Sequence, residues 1–150
     1  MKLGLQGHSV MIASGDYGVG GFVNDASPSG CLSGFGQNQT IYTPDVPADC
    51  PWLTAVGATQ LEATQTVDDP ESAMQTNIAP NFASGGGFSN YFTPPSYQKA
   101  AVAEYFANHD PGHPYYIVNA DASNVGVNGG IYNRAGRVSS AIEFGLGHTL

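Results

Sequence analysis

At 150 residues the chain has the length of one domain and could bury roughly 70% of its unfolded surface. Twelve acidic residues against four Lys and Arg give a formal net charge of -8, which disfavours nucleic acid and anionic membrane as partners because both require a basic surface. The charged fraction is only 11% and the hydrophobic fraction 41%; this excludes a wholly disordered chain and suits a secreted protein that works in acid.

In chain order, residues 1–7 read as the end of a helix, with Gly7 as its C-terminal stop. This start has no long apolar core of the kind a signal peptide carries. Either the protein is cytosolic or its natural N-terminus lies upstream, and the second reading is favoured. His8 to Ser14 reads as a short strand, with Val10 to Ser14 buried on both faces. A glycine-rich turn follows, Gly15-Asp16-Tyr17-Gly18-Val19-Gly20-Gly21, with one carboxylate at its head. An acid just past a strand end lies where open α/β sheets place their ligands. The glycines permit positive φ and close backbone approach.

Residues 15–40 form a long aperiodic loop, of the kind that is functional or pinned by a crosslink. Cys31 and Cys50 bound part of it. A disulfide between them would close a loop of about 20 residues and contribute roughly 3 kcal/mol; two independent buried thiols are the alternative. Asn38-Gln39-Thr40 is a glycosylation sequon inside the same loop. Pro44, Pro47 and Pro51 punctuate an extended run, after which Leu53 to Thr59 reads as a second strand buried between helices. Residues 60–80 are polar and acidic, an exposed connection. Ser84-Gly85-Gly86-Gly87 is then bounded by Phe82 and by Phe88, Tyr91 and Phe92. Three successive glycines between aromatics mark a place where backbone comes close to something.

Thr93-Pro94-Pro95 prepares a helix over Ser96–Asn108, with Tyr97, Ala101 and Tyr105 on one face and Asp110-Pro111-Gly112 as its end. Residues 114–136 read as loop, and 137–150 show no pattern. No internal repeat and no apolar run of membrane-spanning length occurs.

Two familiar chemistries fail on spacing. The glycines at 15, 18 and 20 do not follow the dinucleotide fingerprint, no helix opens after them, and Asp16 would repel a pyrophosphate. His109 and His113 are four apart, but Pro111 and Gly112 between them deny the helix that a zinc pair needs. No metal site is expected in the chain. Taken alone, Asp16 is most simply a turn residue.

Ser14-Gly15-Asp16-x-Gly18-Val19-Gly20 resembles the SGDxGVG segment of the sedolisins, the serine-carboxyl peptidases that include fungal tripeptidyl peptidases. Further blocks match in the same order: residues 1–7, Pro47 to Thr59, Ser84 to Phe92, Pro95 to Gln98 and Tyr132 to Arg137. The resemblance covers about residues 1–137 as the central part of a peptidase domain and leaves 138–150 as an unmatched tail. It implies a partial subtilisin-like α/β fold, a parallel sheet flanked by helices with long Gly-rich loops. It also implies an extracellular enzyme that cleaves peptides or proteins in acid.

By that resemblance Asp16 matches the oxyanion aspartate, and Ser84, Gly85, Gly86 and Gly87 are candidate contacts to the substrate backbone. A carboxylic acid kept protonated can donate a hydrogen bond to a tetrahedral oxyanion, whereas an ionised carboxylate cannot. The family's Glu-x-x-x-Asp helix lies upstream of Met1, and its S-G-T-S nucleophile segment does not occur in these residues. Tyr17 stands where the family has a small residue. Calcium is implied for a full-length member, on C-terminal loops that this chain does not match, and no cofactor is expected here. The 150 residues alone are expected to be inactive. The alternative is a non-catalytic secreted domain whose glycine loops bind peptide or carbohydrate.

Overall fold

The computed structural model describes residues 2–20, 41–80 and 82–139. Cys31, and with it the pairing to Cys50, the Asn38 sequon and the tail beyond 139 lie outside the described residues. Helix α1, Lys2–Leu5, ends as the sequence indicates. Gly7 takes φ +81°, its N–H donates to Gly4 O (3.0 Å), and the His8 N–H reaches back to Leu3 O (3.1 Å). This pair of bonds with a left-handed glycine is the Schellman closure.

Strand β1, Met11–Ala13, runs parallel to β2, Thr54–Val56, with Met11 opposite Thr54 and Ala13 opposite Val56. The expectation of burial on both faces is corrected. Met11, Ala13, Thr54 and Val56 share one exposed face, Met11 at 73%, while Ala55 on the other face is buried. Alternation replaces a continuous apolar core because no described element covers the outer face. The second strand is likewise shorter than 53–59 and is not sandwiched between helices. After a break it resumes as β3, Thr59–Gln60, antiparallel to β4, Ser72–Ala73. Residues 61–71 between them are mostly exposed, as expected of a polar connection.

Helix α2, Lys99–Asn108, is later in start and turned differently from the sequence reading. Tyr97 precedes it and is 68% exposed; Val102 is its buried residue, with Tyr105 and Phe106 packed beside it. Residues 114–136 are not all loop. Tyr115–Tyr116 (β5) pairs in parallel with Tyr132–Asn133 (β6), a match too short to show as periodicity. Among the described residues the expected single parallel sheet is instead three two-stranded pieces, two parallel and one antiparallel, in an α/β arrangement.

The main core joins Phe88, Val102, Tyr132 and Val138, with Tyr42, Tyr105, Phe106 and Ile131 against them. Phe88 lies at its centre. Its ring centroid is 5.1 Å from Phe106, 5.8 Å from Tyr132 and 6.0 Å from Tyr105. Arg134, ion-paired to Asp110 at 2.7 Å, stacks its guanidinium over Phe106 and Tyr115.

A polar cluster ties this core to the loop before β2. Arg137 is 3% exposed and donates to Ala48 O at 2.9 Å, a contact linking chain segments far apart in sequence. The Ser89 hydroxyl donates to Asp49 at 2.7 Å and accepts from the N–H groups of Tyr91 and Phe92. Burial raises the Asp49 carboxyl above its ordinary range, and the Ser89 hydrogen bond and the Arg137 charge pull it only part of the way back.

Phe88→Ala should lower stability by about 3 kcal/mol, because it empties the centre of the ring cluster, whereas Tyr97→Ala should change it by less than about 0.5 kcal/mol; denaturant titration distinguishes the two. A raised carboxyl means the native state holds its proton more tightly than the unfolded chain. Stability from Asp49 is therefore full below about pH 4 and declines as pH climbs through the raised value. Thermal midpoints measured across that interval should fall with rising pH, and Asp49→Asn should flatten the slope.

Candidate functional site

The chain leaves β1 through Ser14, which is buried and extends the ladder by donating to Val56 O at 3.0 Å. Gly15 then turns with φ +102° and Gly18 with φ +60°; Gly20 is not among the positive-φ residues, so only part of the glycine content serves turning. A Cβ on Gly15 would collide with the Asp45 carboxyl. Glycine is required there for its conformation, and any side chain would in addition have to displace the Asp45 carboxyl.

The two glycine-rich segments meet. Ala83 N–H donates to Asp16 O at 2.9 Å, Gly18 N–H to Ala83 O at 3.2 Å, Gly85 N–H to Gly15 O at 2.8 Å and Gly86 N–H to Gly18 O at 3.0 Å. Tyr17 and Ala83 form a parallel bridge within this pairing. A Cβ on Gly85 would overlap the Ser14 carbonyl. The close approach anticipated at the glycine triplet is therefore made, within the described residues, by the chain's own backbone. Ser84 is held as well: its N–H donates to Met74 O and its hydroxyl accepts from Ala58 N–H.

Asp16 is exposed and faces a cleft of about 300 Å³ lined by Ile12, Ala13, Gly15, Tyr17, Asp45 and the 46–48 turn. The cleft opens at the C-terminal end of the parallel β1–β2 pair, the end at which α/β sheets hold ligands. Asp45 is the residue that reading the sequence missed. It sits in a proline-rich run with no motif around it, and only folding brings it to the glycine turn. Burial raises its carboxyl above the ordinary range, and the nearby Asp16 charge raises it further.

The structure brings Asp16 and Ser84 to Gly87 together on neighbouring backbones. Cys31 and Asn38 lie outside the described residues. Among the described residues no group of three or more His, Cys, Asp or Glu converges as a metal site would require, and no helix is long and apolar enough to cross a membrane. Chemically, the arrangement offers two carboxyl-bearing residues lining one cleft beside a hydrogen-bonded backbone wall.

No family model matches the chain. Among curated proteins it is 50% identical to aorsin of Aspergillus oryzae over 139 residues, 91% of this chain and 20% of that protein. It is 47% identical to tripeptidyl-peptidase sed1 of Aspergillus fumigatus over 137 residues, again 91% and 20%. Human tripeptidyl-peptidase 1 is 35% identical over 124 residues, 81% of this chain and 18% of that protein. The chain thus spans about a fifth of the length of the curated relatives it matches. Identity near one half, sustained across nine tenths of the chain, identifies it as a member of the sedolisin family.

Proposed function

We propose that this chain supplies the oxyanion side and part of the substrate-binding wall of a secreted, acid-acting serine-type peptidase that cleaves peptides or proteins. In the complete peptidase domain the fold would be subtilisin-like, with β1 and β2 belonging to one larger parallel sheet. The observation that carries the reading is the placement of Asp16. It heads a glycine turn at the C-terminal end of a parallel strand pair, in a cleft, within a chain 47% to 50% identical to two fungal relatives, one of them named a tripeptidyl peptidase.

In this reading the neutral carboxyl of Asp16 donates a hydrogen bond to the oxygen that becomes negative when a peptide carbonyl is attacked. The donor is aimed in advance, because Gly15 and Gly18 are pinned to Gly85 and Gly86. A substrate would lie along Ser84 to Gly87, contacting carbonyl oxygens, because the N–H groups of 84–86 are already donated within the chain. The serine nucleophile and its glutamate base are supplied by segments other than these 150 residues. The purified chain by itself should therefore not hydrolyse a tripeptidyl substrate.

In the full-length product carrying this chain, Asp16→Ala should lower kcat by roughly 100- to 1,000-fold, about 3 to 4 kcal/mol, with little change in KM, when tripeptide release is followed near about pH 4. Asp16→Asn, whose amide can still donate, should keep more activity than Asp16→Ala. Near-normal turnover in the alanine variant would overturn the assignment.

A further inference from the structure

A second hollow lies at the end of the glycine wall away from Asp16. Its volume is about 160 Å³, and the rings of Tyr42, Phe88, Tyr105 and Tyr132 line it. Phe88 and Tyr132 are buried members of the main core, whereas Tyr42 and Tyr105 are half-buried. The hollow is therefore the place where the ring cluster opens toward solvent. Pro111, exposed His113, Val19 and Gly87 complete the lining.

Backbone bonds hold this shape. Tyr42 N–H donates to Ile131 O at 2.7 Å, and Thr43 N–H donates to Val19 O at 2.8 Å. Tyr42 and Tyr132 stack with their centroids 6.3 Å apart, and His113 meets Tyr42 edge-on at 6.1 Å. Such a pocket is largely preformed, as sites for small apolar groups usually are.

Its position ties it to the proposed substrate path. Gly85 is bonded to Gly15 and Gly86 to Gly18, and Gly87, next in line, borders Val19 and Pro44. Gly87 thus belongs to the wall and to the pocket at once. From Asp16 to Val19 the chain can span at most about 11 Å. An extended peptide advances about 3.4 Å per residue. One whose scissile carbonyl lies at Asp16 therefore brings a side chain to the pocket within about three residues. No Asp, Glu, Lys or Arg lines the pocket among the described residues, so a charged side chain would lose its hydration there without a partner. The volume is close to the roughly 150 Å³ of an apolar cavity that admits one benzene.

We infer that this pocket is a specificity subsite: it takes one apolar side chain of the bound peptide, of phenylalanine or leucine size, within about three residues of the bond that is cut. Alanine leaves it part empty and tryptophan is too large for it. The assignment rests on the peptidase reading and adds to it which side chain the substrate must carry away from Asp16.

The test uses the full-length peptidase that carries this chain. Internally quenched peptides would carry Ala, Phe, Leu, Trp, Asp or Lys at one position at a time, on each side of the cut bond. At one position Phe and Leu should raise kcat/KM about 10- to 100-fold over Ala, with Trp, Asp and Lys below them. Val19→Phe, which fills the pocket from the wall side, should bring the Phe-to-Ala ratio at that position, and at no other, toward one. Tyr105→Ala, which enlarges the pocket, should move the preference from Phe to Trp, and decides the matter if Val19→Phe does not fold. Each ratio is taken within one variant, so a general loss of activity does not imitate the effect. Peptide cleavage with no such position, or with a preference that neither variant alters, overturns the subsite and leaves the peptidase reading standing. Cleavage of none of the peptides refutes that reading, and the subsite with it.

Discussion

Much of the site depends on two backbones that lie closer than side chains would permit. The turn after β1 and the segment 83–86 exchange four N–H to carbonyl bonds, and at Gly85 there is no room for a single methyl against the Ser14 carbonyl. Hydrogen bonds of this kind contribute only about 1 kcal/mol each to stability. Their importance is geometric, because together they leave the Asp16 backbone no freedom to reorient. A hydrogen-bond donor for a transient oxyanion must be aimed before the charge appears. In the peptidase reading that aim would start from the Asp16 backbone, which peptide groups on both sides hold in place.

That ladder is braced from behind. Phe88 follows the glycine triplet directly into the ring cluster with Tyr105, Phe106 and Tyr132. Ser89 and Asn90, next in sequence, turn their side chains to Asp49 and Tyr42. The two polar residues thus connect the glycine wall to the segment carrying Asp45, while Arg137 grips the same segment through Ala48 O. Apolar and polar anchoring alternate along a few residues. The wall and the acidic side of the cleft are consequently set by one continuous framework.

The charge distribution acts in the same direction as the geometry. Asp45 and Asp49 are both raised by burial, so the native state around the cleft binds protons more tightly than the unfolded chain does. Acid therefore favours this region of the fold and, in the peptidase reading, also favours the neutral carboxyl that the chemistry needs. The net charge of -8 makes that coupling stronger at low pH, where self-repulsion among carboxylates is relieved.

The amino-acid sequence by itself determined what local chemistry can determine. Gly7 ends α1 because a left-handed residue must stand there, Asp110 and Pro111 follow the end of α2, and the ordered blocks from residue 1 to 137 carry the sedolisin identity. It also marked Asp16 and the glycine triplet as places of close approach. Tertiary structure decided what the glycines approach, namely each other. It decided which face of α2 is buried, since Val102 and Phe106 meet a ring cluster assembled from distant segments. It exposed one face of β1 because no described element packs over it, and it paired Tyr115 with Tyr132 in strands too short to leave a periodic trace. Above all it placed Asp45 beside Asp16. Neighbours on a strand or helix leave a spacing in the sequence, but two carboxyls that meet across a turn leave none, because their proximity exists only after the chain has folded back on itself.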